Sequence, residues 1–237
     1  KEIISFLDNI GASYELEDDQ HLLPKVAKLM ANEKVVGWFQ GRMEFGPRAL
    51  GGRSIIGDAR SVNMQTTMNL KIKFRESFRP FAPAVLQSRV DEYFDMREME
   101  ESPYMLLVAP VKDDKLLSAE SQGEKGLDKL KQLRSVVPAI THVDNSARGQ
   151  TIDERRNPRF YGIIKKFEER TGSPVLINTS FNVRGEPIVR TSEDAYRCFM
   201  HTNMDVLVLE NFVLLKDDQP DAREIDLEAY LTEFALD

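Results

Sequence analysis

The chain has 237 residues, 41% of them hydrophobic and 30% charged, with a net charge of −7 at pH 7. That length suits one large domain or two small ones with a sizeable core, and that composition excludes a disordered chain. The acidity argues against general affinity for nucleic acid or anionic membranes, and no apolar run is long enough to cross a bilayer. Cys198 is the only cysteine, so an internal disulfide and a thiolate metal cluster are excluded and a reducing, cytoplasmic setting is expected. The first residue is Lys1 and the opening has no signal-peptide character, so the expectation is a piece of a longer polypeptide.

In chain order, apolar residues at helical spacing (Ile3, Phe6, Leu7, Ile10) predict a first helix that stops at Gly11. LLPKVAKLMANEK reads as a second helix, with Pro24 near its start. VVGWFQ reads as a strand that runs into the glycine- and arginine-rich stretch GRMEFGPRALGGRSI. SVNMQTTMNLKIKF has helical character, RPFAPAVL enters a strand, and SRVDEYFDM reads as a short helix. YMLLVAPV reads as a buried strand, and KDDKLLSAESQGEKGLDKLKQL as a charged, partly helical surface insertion. SVVPAITHVDNSARGQTI is β-rich with a turn at Asp144–Ser146, and NPRFYGIIKKFEERTG is a clear amphipathic helix ended by Gly172. SPVLINTSF predicts a strand, TSEDAYRCFMHTN a capped helix, DVLVLENFVLLK two strands, and the acidic tail a short final helix. Strands and helices mix without strict βαβ alternation, which points to a mixed sheet with helices packed on it. Cys198 falls on the apolar face of its helix and reads as core.

The charge is uneven. Residues 42–79 hold eight Lys/Arg against three Asp/Glu, a local +5 that leaves −12 for the remainder. An acidic body with one basic segment suggests a focused anion site. Four clusters carry the candidate chemistry. Arg42, Glu44, Arg48 and Arg53 lie among four glycines, where the backbone can approach a ligand closely; the alternative is a surface loop paired with the acidic body. Lys71, Lys73, Arg75 and Arg79 would share one face of a strand and repel one another unless an anion neutralises them; the alternative is a solvated edge strand. His142 and Asp144 suit acid–base work, the holding of a cation, or a capped turn with a satisfied histidine, and Arg148 beside them is the better functional candidate. Asn178, Ser180, Asn182, Arg184 and Gly185 end a strand as a phosphate or nucleobase site would, or as an ordinary turn would. No G-x-S-x-G, G-x-G-x-x-G or H-E-x-x-H motif occurs.

GWFQGRMEFGPRALGGRSI, KFRESFRPFAP, HVDNSAR with QT, PVLINTSFNVRGEPIV and DVLVLENFVL together resemble the C-terminal region of the O-carbamoyltransferases of nodulation factors and antibiotics. Two positions depart from the pattern, Gly52 where asparagine is usual and Asn145 where glycine is usual. The resemblance implies an α/β (α+β) fold, a YrdC-like twisted mixed sheet with packed helices spanning 34–215. Residues 1–33 would then be a helical lead-in from an N-terminal domain and 216–237 an acidic tail. It implies formation of carbamoyl-adenylate from ATP and carbamoyl phosphate with Mg²⁺. An N-terminal domain of the actin-like ATPase type, which carries the family's histidine-based site for Fe²⁺ or a similar metal, would then transfer the carbamoyl group to a hydroxyl. Its phosphate-binding Lys-x-Arg maps onto Lys73 and Arg75, and its strand-end polar residues onto Asn178 and Ser180, with Asn182 close by. Arg79 and Arg148 would be further phosphate or carbamoyl-phosphate ligands, while Arg42 and Arg48 would bind nucleotide or line the interdomain contact. A nucleotide- or RNA-binding YrdC-like module without turnover is the alternative.

Overall fold

The computed structural model describes residues 2–117, 133–220 and 227–234. Helices α1 (Glu2–Asn9) and α2 (Asp19–Ala31) flank the two-residue strand β1 (Glu15–Leu16). The chain continues through β2 (Val36–Phe39), β3 (Arg53–Asp58), α3 (Met64–Lys71), β4 (Ala82–Leu86) and α4 (Val90–Tyr93). After β5 (Val108–Pro110), β6 (Ser146–Arg148) and β7 (Gln150–Ile152) come α5 (Pro158–Thr171), β8 (Val175–Ser180) and α6 (Ser192–Met200). Strands β9 (Val206–Leu209) and β10 (Phe212–Leu215) and helix α7 (Leu227–Thr232) complete it.

Among the described residues, eight strands form one mixed sheet in the order β1-β10-β9-β2-β3-β8-β4-β7, with β2/β9 and β4/β7 parallel and the other pairs antiparallel. Alternation along each strand divides the core in two. Val36, Trp38, Ile56, Leu176, Val206 and Val208 face α2 and α5, whose buried side is built from Leu22, Val26, Met30, Phe160, Ile163, Ile164 and Phe167. Ile55, Val85, Val175, Ile177, Leu207 and Leu209 face the other layer, with Leu7, Met64, Met68, Cys198, Phe199 and Tyr230. Cys198 is fully buried there, and burial pushes its thiol pKa well up. Helix ends follow local chemistry. Thr191 and Asp194 close a reciprocal capping box on α6, and Gly172 ends α5 at φ 76°. No described helix is long and apolar enough to cross a membrane.

Two expectations are corrected. YMLLVAPV is not a buried strand: only Val108–Pro110 is extended, and Leu106 and Val108 are 75% and 63% exposed. Among the described residues strand β5 pairs with β6 in a separate two-stranded ribbon, which turns Ala109 and Ala147 into the core and leaves Val108 outside. The basic run is no strand either. Lys71 closes α3, and residues 72–81 form an irregular connection that separates the four cations. The predicted charged insertion falls mostly on 118–132, outside the described residues; its start is a single 3-10 turn at Asp113–Lys115.

Candidate functional site

The glycine- and arginine-rich stretch GRMEFGPRALGGRSI forms the β2–β3 connection and enters β3, and one carboxylate folds it. Glu44 Oε1 accepts hydrogen bonds from the backbone N–H groups of Leu50 (2.7 Å), Gly52 (2.7 Å) and Arg53 (3.3 Å). Buried Arg53 closes the base of the loop, donating to the carbonyls of Gln40 (3.0 Å), Gly52 (3.0 Å) and Gly41 (3.1 Å), with its guanidinium 3.5 Å from the centre of the Phe39 ring. Gly51 sits at φ 107°, and a Cβ there would lie 2.5 Å from the Phe160 ring, so only glycine fits. Asn178 and Gln150 brace the far side. Asn178 Nδ2 donates to Ala49 O (3.1 Å) and Gln150 Oε1 (2.7 Å), and Gln150 Nε2 donates to Leu50 O (3.0 Å).

This framework brings Arg48, Arg75 and Arg148 around one cavity of about 180 Å³, walled by Asn178, Thr179 and Ser180 at the end of β8. Among the described residues no carboxylate lines it. None of the three arginines makes an ion pair among the described residues. Arg75 is oriented by Asn69 Oδ1, which accepts from its Nε at 2.6 Å, and by the Phe81 ring, 4.9 Å away. Burial first, then the charge of Arg79, lowers the Arg75 pKa; burial, then the charge of Arg48, lowers that of Arg148. Arg148 Nε and Asn178 Oδ1 are buried without a hydrogen-bond partner among the described residues. Converging cations without a counter-charge and the unpaired Arg148 Nε–H donor describe an anion site; Asn178 Oδ1, an acceptor, adds nothing to it.

The other sequence-selected residues lie elsewhere. Lys73 is buried behind the cavity, its Nζ donating to Ser180 O (2.5 Å), Asn182 O (2.8 Å) and Asn182 Oδ1 (2.8 Å). Asn182 also accepts from Ser180 Oγ (2.7 Å) and donates to Glu186 O (2.7 Å), so it belongs to the turn rather than to the cavity wall. Arg79 is exposed and pairs with Glu76 at 3.3 Å. Arg42 is exposed and lines a larger cavity of about 610 Å³ across the loop. Two arginines in that cavity are already neutralised: Arg156 pairs with Asp153 and Glu101, and Arg159 with Asp19 and Glu210. The smaller cavity is therefore the stronger anion site. Asp144 Oδ1 accepts from Ser146 N (3.0 Å) and Oγ (2.7 Å), capping the turn; Asn145 there takes φ 62°, the conformation glycine would supply. Sequence reasoning did not assign Glu44 its fold-holding role, nor Asn69 and Gln150 their orienting roles, since each acts through contacts across the fold.

Burial lowers the Lys73 pKa to about 7, below the value of about 10.4 expected for an unfolded lysine. Between those pH values the unfolded chain binds more protons, so stability rises with pH across that window and this contribution is lost as pH falls towards 7. Urea unfolding at pH 7 and pH 9 should show the parent gaining up to about 2–3 kcal/mol relative to Lys73→Met. Equal pH dependence in the two proteins would remove Lys73 as the source.

The carbamoyltransferase C-terminus family model matches residues 27–216. The chain belongs to the carbamoyltransferase family. The carbamoyltransferase domain is 58% identical over 230 residues to an uncharacterized Synechocystis protein, an alignment covering 96% of this chain and 37% of that protein. It is 39% identical to nodulation protein NolO of Bradyrhizobium diazoefficiens (85% of this chain, 34% of NolO). It is 33% identical to the 3'-hydroxymethylcephem-O-carbamoyltransferase of Streptomyces clavuligerus (77% of this chain, 31% of that enzyme). It thus spans about a third of the length of these curated relatives. Full-length HypF in its phosphate- and nucleotide-bound form shares the fold, with a TM-score of 0.51 and 19% identity over 86% of this chain and 23% of HypF. The fold is accordingly the expected YrdC-like mixed sheet.

Proposed function

We propose that this domain activates a carbamoyl group for transfer, making carbamoyl-adenylate from carbamoyl phosphate and ATP. The observation that supports it most is the cavity where Arg48, Arg75 and Arg148 converge without a carboxylate. In this reading carbamoyl phosphate gives its phosphoryl group to water, and the carbamate oxygen that remains attacks the α-phosphorus of ATP. The bond from that phosphorus to the β-phosphate bridging oxygen breaks, and pyrophosphate leaves with the electron pair. Negative charge grows on the leaving oxygens, and fixed guanidiniums stabilise it without any protein nucleophile. Asn178 and Ser180 wall the strand end, where Asn178 braces the arginine loop through Ala49 and Gln150 and Ser180 fixes the following turn, and Lys73 holds the strand exit in register. Arg42 and Arg79, which lie outside the cavity wall, would meet the outer part of the nucleotide or the rest of the polypeptide. Mg²⁺ fits as the nucleotide's own counter-ion, with phosphate oxygens as its ligands, because the lining offers no carboxylate. Transfer to a hydroxyl acceptor would fall to the part of the longer protein that lies outside this chain, which we infer to be an actin-like ATPase domain in the cytoplasm.

Calorimetric titration of ATP with Mg²⁺ should show saturable binding, and added carbamoyl phosphate should produce pyrophosphate. ATP binding without pyrophosphate, in this chain and in the full-length protein alike, would leave a nucleotide-binding module. A salt-sensitive RNA gel shift in place of ATP binding would favour the RNA-binding alternative.

A further inference from the structure

The turn behind the anion cavity is held from the C-terminal end of the chain. Tyr230, on α7, is 1% exposed, and its hydroxyl donates to Glu186 Oε1 at 2.6 Å. The second oxygen of that carboxylate accepts from the backbone N–H of Val183 at 2.8 Å, and the Glu186 carbonyl accepts from Asn182 Nδ2. Asn182 in turn receives Lys73 Nζ and Ser180 Oγ. One continuous line of hydrogen bonds thus runs from Tyr230 to Ser180 in the cavity wall. Independent contacts fix the helix that carries Tyr230. Its ring stacks on His201 (4.4 Å, 22° between planes), the Arg197 guanidinium lies 5.1 Å from its centre, and Arg197 pairs with Glu233 at 2.5 Å. Gly185, at φ 83°, lets the turn pass under the Phe234 carbonyl, where a Cβ would lie 2.3 Å from that oxygen. The family match ends at residue 216, so this clasp comes from outside the matched region.

We propose that Tyr230 is a positioning residue for phosphate binding: through Glu186 it sets the Ser180–Glu186 turn, and with it the Lys73 and Ser180 side of the arginine cavity. The inference rests on the anion-site reading above. A helix that only added stability would need no hydroxyl aimed at the one carboxylate that ties the turn together. The buried hydroxyl–carboxylate bond gives the turn a single arrangement, because losing it leaves an unpaired charged acceptor next to the chain it must hold.

The test uses inorganic pyrophosphate titrated into the 237-residue chain, well below the melting temperature of each variant. Tyr230→Phe, which removes only the hydroxyl, should weaken pyrophosphate binding about fivefold, and Glu186→Gln should do the same. The double variant should be no weaker than either single one, because the two side chains act as a unit. Glu233→Gln removes the ion pair that holds the residue just after the same helix and should lower the melting temperature with pyrophosphate affinity unchanged. Parent-like affinity in Tyr230→Phe, additive losses in the double variant, or an equal loss in Glu233→Gln would each overturn the proposal. If the parent chain itself fails to bind pyrophosphate while remaining folded, the anion-site reading fails first, and this inference with it.

Discussion

Arg148→Ala is expected to lower pyrophosphate formation from ATP and carbamoyl phosphate by about 10²–10³-fold, equivalent to about 2–4 kcal/mol of transition-state stabilisation. Arg75→Ala should have a loss of the same order. The electrostatics of the cavity add a second expected result. Arg48, Arg75 and Arg148 face one another without a carboxylate among the lining residues, so the ligand-free protein holds them against their mutual repulsion. Removing Arg148 relieves part of that repulsion and leaves no buried anion unpaired. Its thermal midpoint should therefore equal or exceed the parent's while activity collapses. Arg75 differs, because it also bonds Asn69 and lies over Phe81, so Arg75→Ala should lose some stability as well. Lysine at position 148 should recover only part of the rate, since a point charge cannot reproduce the planar fork of a guanidinium. Calorimetry beside a pyrophosphate-release assay checks both halves. An Arg148→Ala protein that binds ATP and turns over like the parent would end the assignment of this cavity.

Glu44→Ala is expected to destabilise the chain by about 2–4 kcal/mol in urea unfolding, although the residue touches no cavity arginine directly. One carboxylate oxygen gathers three backbone N–H groups, those of Leu50, Gly52 and Arg53, and two of these three residues are buried. Without it, those donors have no acceptor and the half-buried loop must open to find water. Arg53, which burial pushes down in pKa, also loses the larger of the two charge effects, those of Glu44 and Glu210, that offset this. Because Arg48 and Ala49 ride on the same loop, ATP affinity should fall with stability. Glu44→Gln keeps one carbonyl oxygen in place and should restore most of both. A Glu44→Ala variant within about 0.5 kcal/mol of the parent would show that the loop has other supports of equal strength.

The helices were the most legible part of the fold, because their signals are local. Phe160, Ile163, Ile164 and Phe167 repeat at helical spacing, Gly172 stops the helix, and Thr191 with Asp194 announces the next start. The strand pairings were not legible, since a register such as Ile56 opposite Asn178 depends on residues 122 positions apart. Apolar runs misled where tertiary context decides exposure: YMLLVAPV has the composition of a core strand, but only Met105, Ala109 and Val111 turn inwards, while Leu106 and Val108 face out at a two-stranded ribbon. At the site, residue type identified the arginines, and only the structure sorted them. Arg53 and Lys73 turn inwards to bind backbone carbonyls, Arg79 pairs with Glu76, and Arg48, Arg75 and Arg148 remain facing the cavity. Alternation along Lys71–Arg79 placed Lys73 and Arg75 on one face of a strand; the irregular connection instead sends one behind the wall and the other in front of it.

The order of the strands has a consequence for biosynthesis. Strand β2, complete by residue 39, takes β9 as its parallel neighbour, and β1 finds its partner only in β10, which ends at Leu215. A nascent chain leaving the ribosome therefore carries an apolar strand, Val36–Phe39, with one edge unpaired until nearly all of the domain has been made. Pairings between the two ends of the chain make closure slow compared with that of a helical bundle, and the open edge is an aggregation risk throughout synthesis. Truncation within β9 or β10 should accordingly yield insoluble protein rather than a smaller folded unit, whatever the state of the arginine cavity.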